Sequence, residues 1–129
     1  MTVRVLIADD HAIVRSGLRA ILENQSDFVV CAEAGDGREA VDLTIQHKPD
    51  IAVIDYSLPI LNGIEATRQI RQSSPQTQVL VLTAHDSEAL ISEALVAGAR
   101  GFLLKMEANE QIVGAVATLA RHRSFVQTN

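Results

Sequence analysis

Hydrophobic and polar positions along the chain alternate between short apolar runs and stretches of helical period. Val3 to Ala8 reads as a strand that stops on Asp9 and Asp10, after which Val14, Leu18, Ile21 and Leu22 recur at helical spacing. Phe28 to Ala34 predicts a second strand. Gly35 to Gly37 turns it into a helix carrying Ala40, Val41 and Leu43, which ends before Lys48-Pro49. Ile51 to Asp55 is apolar until its last residue and reads as a third strand, buried on both faces. Gly63 opens a helix with Ile64, Thr67 and Ile70 on one face, closed by Ser73-Ser74-Pro75. The run 79–83 (Val-Leu-Val-Leu-Thr) is a fourth strand, followed by a helix from Ser87 with Leu90, Ile91, Ala94 and Leu95 that Gly98 terminates. Gly101 to Leu104 is a short fifth strand ending on Lys105. The last helix carries Ile112, Val113, Val116 and Ala120, and the chain is expected to fray through Arg121-His122-Arg123.

Five β-α units in this length imply a parallel sheet with helices on both faces, because parallel neighbours need right-handed crossovers. The economical arrangement is a doubly wound, flavodoxin-like α/β fold: five parallel strands in the order 2-1-3-4-5 with five flanking helices. That order brings the ends of strands one and three together at the switch point. Asp9 and Asp10 then face Asp55, and Thr83 and Lys105 end the strands beyond it. Taken alone, Asp55 also suits a strand-terminating turn residue, as Pro59 and Gly63 close the loop after it. Three acids, a hydroxyl and a lysine on one rim make a site.

Composition narrows what the site can serve. With 129 residues, 47% of them hydrophobic, the chain forms one domain that buries roughly two-thirds of its unfolded surface. A formal net charge of -5 argues against a large nucleic-acid surface within these residues, which would require clustered Lys and Arg. The single cysteine, Cys31, excludes an internal disulfide framework; it reads as a small buried residue in a reducing compartment or, less simply, as a reactive thiol. No charged-then-apolar leader opens the chain, and no apolar run reaches the ~20 residues of a bilayer span. A cytoplasmic location with no membrane partner is expected.

Three carboxylates packed together repel one another, and a hard divalent cation with oxygen ligands is the usual remedy. Mg²⁺ fits best, since it takes one or two carboxylates, keeps several waters and completes its shell with phosphate oxygens. Lys105 and the Thr83 hydroxyl would meet the other phosphoryl oxygens, and Asp55 would be a carboxylate nucleophile forming an aspartyl-phosphate. Simpler alternatives stay open at this point: Lys105 as a snorkelling surface side chain, and Thr83 as an ordinary β-former.

The set Asp9-Asp10, Asp55, Thr83 and Lys105, with the Asp-x-x-Leu-Pro-x-x-x-Gly run at 55–63, resembles the receiver domain of bacterial two-component response regulators over nearly the whole chain. The resemblance implies phosphorylation of Asp55 by a sensor histidine kinase. It also implies Mg²⁺ held by Asp9, Asp10, Asp55 and the backbone carbonyl of Ser57, and phosphoryl contacts from Thr83 and Lys105. Such a domain is a signalling phosphoacceptor rather than an enzyme, assisting its own phosphotransfer and autodephosphorylation. Phe102 matches the family's aromatic switch position, and Thr83 its partner; Phe102 is equally suited to the core, and both roles are compatible. Val-Leu-Ile-Ala-Asp-Asp-His and Gly-Ala-Arg-Gly-Phe-Leu-Leu-Lys are similar to the NarL/FixJ type, whose members carry a C-terminal helix-turn-helix of LuxR type. Met106 stands where most receivers have Pro. On this reading residues 1–121 are the receiver and 122–129 begin a linker to a DNA-binding domain that this chain lacks. Phosphorylation would drive a homodimer or control a transcriptional output.

Three other readings of these residues compete with this one. Gly35-Asp-Gly37-Arg-Glu-Ala40, with Asp55 further on, fits a dinucleotide fingerprint, but it follows the second strand and no second mononucleotide half is present. A haloacid dehalogenase-like phosphatase needs a second acid that Asp55-Tyr56-Ser57 does not supply. A degenerate receiver, binding proteins without being phosphorylated, is opposed by the intact Asp55, Thr83 and Lys105.

Overall fold

The computed structural model describes residues 2–127. Strands β1 (Val3–Ala8), β2 (Phe28–Ala34), β3 (Ile51–Asp55), β4 (Gln78–Thr83) and β5 (Gly101–Leu104) alternate with helices α1 (Ala12–Glu23), α2 (Gly37–His47), α3 (Gly63–Ser73), α4 (Glu88–Ala97) and α5 (Ala108–Ala120). A single 3₁₀ turn, Lys105–Glu107, joins β5 to α5, and a short strand β6 (Phe125–Val126) follows. The sheet order is β2-β1-β3-β4-β5-β6, with every pairing parallel.

The alternation of side chains along each strand divides the core in two. Val5, Ile7, Val53, Leu80, Leu82 and Leu103 point to one face, where Leu18 and Leu22 of α1 and Ile112 and Leu119 of α5 cover them. Leu6, Ala8, Ile54, Val81 and Phe102 point to the other, under Val41 of α2, Ile64 and Ile70 of α3 and Ile91 of α4. β3 is buried along its entire length, which is why its sequence shows no polar alternation.

The five-stranded expectation is corrected by β6. After α5 the chain does not fray: it turns through His122, at φ 61, and lays Phe125 and Val126 beside Gly101 and Phe102. The unpaired backbone edge of β5 is the reason. Phe125 N–H donates to Arg100 O at 2.9 Å and Gln127 N–H to Phe102 O at 2.8 Å, satisfying carbonyls that would otherwise face solvent. Two residues are too few to show a period in sequence. Of the tail 122–129, residues 128 and 129 lie outside the described residues.

Local signals fix the helix starts. Asp36, Asn62 and Ser87 cap α2, α3 and α4, each accepting from a backbone N–H three residues on. Glu39 accepts from Gly35 N–H at 2.7 Å, satisfying the donor just before the cap of α2. This explains the glycine pair that imitates a dinucleotide fingerprint. Gly37 is pressed against the loop after β3: its N–H donates to Pro59 O at 3.2 Å, and a Cβ there would stand 1.8 Å from Leu61 O. The α2 terminus is therefore occupied by the protein's own backbone and capping acids. Gly37→Ala should lower stability in urea unfolding by about 3 kcal/mol, the upper end for overpacking, because the obstructing atoms are backbone. A variant within about 0.5 kcal/mol of the parent, the range of an inconsequential surface change, would contradict that account.

Candidate functional site

The carboxyl ends of β1, β3, β4 and β5 present the polar residues that stop each apolar run. Asp9 follows β1 and is buried, as are Asp55 at the end of β3 and Thr83 at the end of β4, with exposures of 1%, 3% and 1%. Asp10 stands exposed at the rim. Lys105 begins the turn after β5 and reaches across the rim, its Nζ 2.7 Å from Asp9 Oδ2 and 3.2 Å from Asp55 Oδ2. One ammonium thus bridges two buried carboxylates. The snorkelling alternative for Lys105 is excluded by this position.

Backbone contacts hold the acids in place. Asp9 N–H donates to Ala34 O at 3.0 Å, and Arg15 Nη1 donates to Asp9 O at 2.6 Å while its Nε pairs with Glu33. Asp9 Oδ1 accepts from His11 N–H at 2.9 Å. Asp9 Oδ2 is buried and completes no hydrogen bond, and the ion contact with Lys105 is what faces it. Tyr56 N–H donates to Leu82 O, and Gly63 N–H to Tyr56 O, folding the loop back under Asp55. Gly63 is required there, since a Cβ would meet Asp55 O at 2.4 Å.

Burial pushes the Asp55 carboxyl above the ordinary aspartate range; Lys105 opposes this, the Asp9 charge adds to it, and the Ser57 backbone N–H opposes it again. For Lys105 burial is the strongest single influence against the charge, yet Asp9 and Asp55 together raise its pKa. The site therefore holds more negative charge than one lysine can neutralise.

His11, absent from the expected set, lies within it. Its Nδ1 is 3.2 Å from Asp9 Oδ1 and 3.0 Å from Asp10 Oδ1, and ligand atoms of these three residues all lie within 4.8 Å of one another. Its place directly after the acid pair was the available signal. The donors converging here are mainly carboxylate oxygens, one of them buried without a hydrogen bond, which suits a hard divalent cation. Asp55 reaches the same point through Lys105 rather than through direct clustering with Asp10. Ser57 contributes its N–H toward Asp55.

Thr83 Oγ1 accepts from His85 N–H at 3.1 Å, so its hydroxyl is tied into its own loop. Phe102 is already inside, 1% exposed among the residues under α4. Cys31 is half-buried, and burial raises its thiol pKa, which favours the packing role over the reactive one. A cavity of about 330 Å³ lies at the opposite, amino end of the sheet, lined by Val3, Ile51, Gln78, Leu119 and His122 among others, remote from the acids. Among the described residues no helix is long and apolar enough to cross a membrane.

Residues 5–117 match the model of the response regulator receiver domain family. The oxygen regulatory protein NreC of Staphylococcus epidermidis is 40% identical over 124 residues, covering 95% of this chain and 57% of that protein. Thus the chain spans little more than half the length of the curated relatives it matches. Among solved structures, the signal receiver domain of the putative response regulator NarL from Mycobacterium tuberculosis superposes with a TM-score of 0.90 at 38% identity, covering 95% of this chain and 98% of that one. A LuxR-family two-component response regulator from Aurantimonas gives 0.93 at 38% identity, covering 99% and 91%.

Proposed function

Because the chain belongs to the response regulator receiver domain family, in its NarL/LuxR-type branch, we propose that Asp55 is the phosphoacceptor and a sensor histidine kinase its phosphodonor. The observation that carries this is the pair of buried carboxylates, Asp9 and Asp55, on adjacent strand ends with one lysine between them at 2.7 and 3.2 Å. Such an arrangement disfavours charge unless a cation or a bound group with compensating partners arrives.

In the reaction an Asp55 Oδ attacks phosphorus, the bond to the donor breaks as the P–O bond forms, and the leaving group carries away the bond's electron pair. Asp9, Asp10, Asp55 and the Ser57 carbonyl would hold Mg²⁺, which when bound supplies positive charge to the phosphoryl oxygens. Lys105 moves from the carboxylates to a phosphoryl oxygen, and the Thr83 hydroxyl donates a hydrogen bond to another. The same residues would position water for autodephosphorylation. Thr83→Ala should leave phosphorylation intact and weaken its transmission to Phe102 and α4. Chemical-shift mapping with beryllofluoride tests this, and an unaltered response at Phe102 would refute the role.

Exposed apolar side chains lie on the segments that follow the acid-bearing strand ends. Ile13, Ile60 and Met106, with exposures of 83%, 80% and 85%, each follow one of the strand ends that carry Asp9, Asp55 and Lys105. Exposed apolar side chains on the loops that carry a charged centre suit a docked partner protein, which a kinase delivering phosphate must be. Output through homodimerisation, or through a helix-turn-helix domain beyond a linker starting at 122–129, follows from the kinship with longer regulators and forms part of this proposal.

Incubation with a small-molecule phosphodonor and Mg²⁺, followed by peptide mass spectrometry, is the direct test. Labelling confined to Asp55 is expected; no labelling would leave a degenerate, protein-binding receiver. Asp10→Ala should reduce Mg²⁺ affinity roughly 10-fold, the lower range for a lost metal-orienting group, read by Tyr56 fluorescence. Unchanged affinity would assign the cation to other ligands.

A further inference from the structure

The segment after α5 ends at the functional rim. β6 runs parallel to β5, so Gln127 arrives beside the residues that flank Lys105. Its carboxamide Oε1 accepts from Leu104 N–H at 2.9 Å, on one side of Lys105, and its Nε2 donates to Glu107 Oε1 at 3.4 Å, on the other. One side chain thus spans the turn from Leu104 to Glu107 that carries Lys105, while the lysine's own ammonium lies on Asp9 and Asp55.

We propose that residues 121–127 form a strap that reads the position of Lys105, with Gln127 as the positioning residue that clamps the turn from Leu104 to Glu107. Its response to phosphorylation rests on the phosphoacceptor reading above; the clamp itself does not. A phosphoryl group on Asp55 lies farther along the carboxylate than the oxygen Lys105 now contacts, so the lysine must move to follow it. Leu104 and Glu107 are covalently close and shift with it. The Gln127–Glu107 bond is already at the long limit for a hydrogen bond, and a displacement of a few tenths of an ångström breaks it. With that bond broken, Gln127 keeps only its contact with Leu104 N–H, beside the backbone bonds of β6 to Arg100 and Phe102, and the strap loosens. Linkage makes the relation reciprocal: a strap pulled away by whatever binds it frees Lys105 to change place.

Lys48 and Lys105 are the two lysines, so the ¹⁵N resonances of their ammonium groups separate clamp from background in one spectrum. Gln127→Ala should shift the Lys105 Nζ signal and leave that of Lys48 in place. In the parent protein, beryllofluoride with Mg²⁺ should speed amide hydrogen exchange at Phe125 and Gln127 about 10-fold, within the usual range of coupling between sites. An unmoved Lys105 signal in Gln127→Ala overturns the clamp. Beryllofluoride that shifts the Asp55 amide while Phe125 and Gln127 keep their protection overturns the strap's response and leaves the phosphoacceptor assignment standing. Beryllofluoride that leaves Asp55 itself unshifted refutes that assignment instead, and the Lys105 signal still decides the clamp.

Discussion

Asp55→Asn is expected to take up no phosphoryl label from a small-molecule donor with Mg²⁺, falling from stoichiometric incorporation to background. The amide retains the shape of the carboxylate but is a poor nucleophile, and no other described acid joins a strand end to both Asp9 and Lys105. Loss of label through unfolding is not expected from the electrostatics. Burial raises the Asp55 pKa, so the folded state binds this proton more tightly than the unfolded chain does. That preference adds stability below the unfolded pKa of about 3.9, and it is lost as pH rises through the folded value. At neutral pH the ionised carboxylate is therefore a burden that Asn removes. The variant should unfold at no lower urea concentration than the parent, and its stability should lack the decline above the ordinary aspartate range. Stoichiometric labelling of the variant at another aspartate would remove Asp55 from its role.

Much of this site is legible because the sheet is parallel and buried. Strands covered on both faces must be apolar throughout, so the residue that stops each run marks the carboxyl edge, and Asp9, Asp55, Thr83 and Lys105 could be placed there from sequence. Features without a period were not legible. β6 consists of two residues, Phe125 and Val126, and exists because β5 offers a free edge, a property of the folded sheet rather than of the tail. Gln127 gained meaning from being delivered to Leu104 and Glu107 by that strand. His11 was visible beside the acids, yet its Nδ1 joining both carboxylates depends on the turn into α1. The rotamer of Phe102 belongs to the packing under α4, which no spacing rule determines. The engagement of the Thr83 hydroxyl by His85 N–H likewise arises from the loop that follows β4.

Lys105→Met should destabilise the fold by about 3 kcal/mol at neutral pH, the lower range for breaking a buried ion pair because the lysine itself retains some exposure. Met keeps most of the aliphatic stem, so the loss is electrostatic: Asp9 Oδ2 is left with no compensating contact, and Asp55 loses the cation that holds its pKa down. The sign of the pH dependence follows. Without Lys105 the folded-state pKa of Asp55 rises further, widening the interval in which the native protein holds a proton that the unfolded chain has released. Stability is then greatest below the unfolded aspartate pKa and falls as pH rises through the raised folded value, more steeply than in the parent. Mg²⁺ should restore more stability to the variant than it adds to the parent, because a cation seated among Asp9, Asp10 and Asp55 replaces the missing ammonium, and a ligand that binds only the folded state stabilises in proportion to its occupancy. Urea unfolding at several pH values, with and without Mg²⁺, measures all three effects. A variant as stable as the parent, with the same pH profile and no added response to Mg²⁺, would show that the two carboxylates do not depend on Lys105 for their compensation.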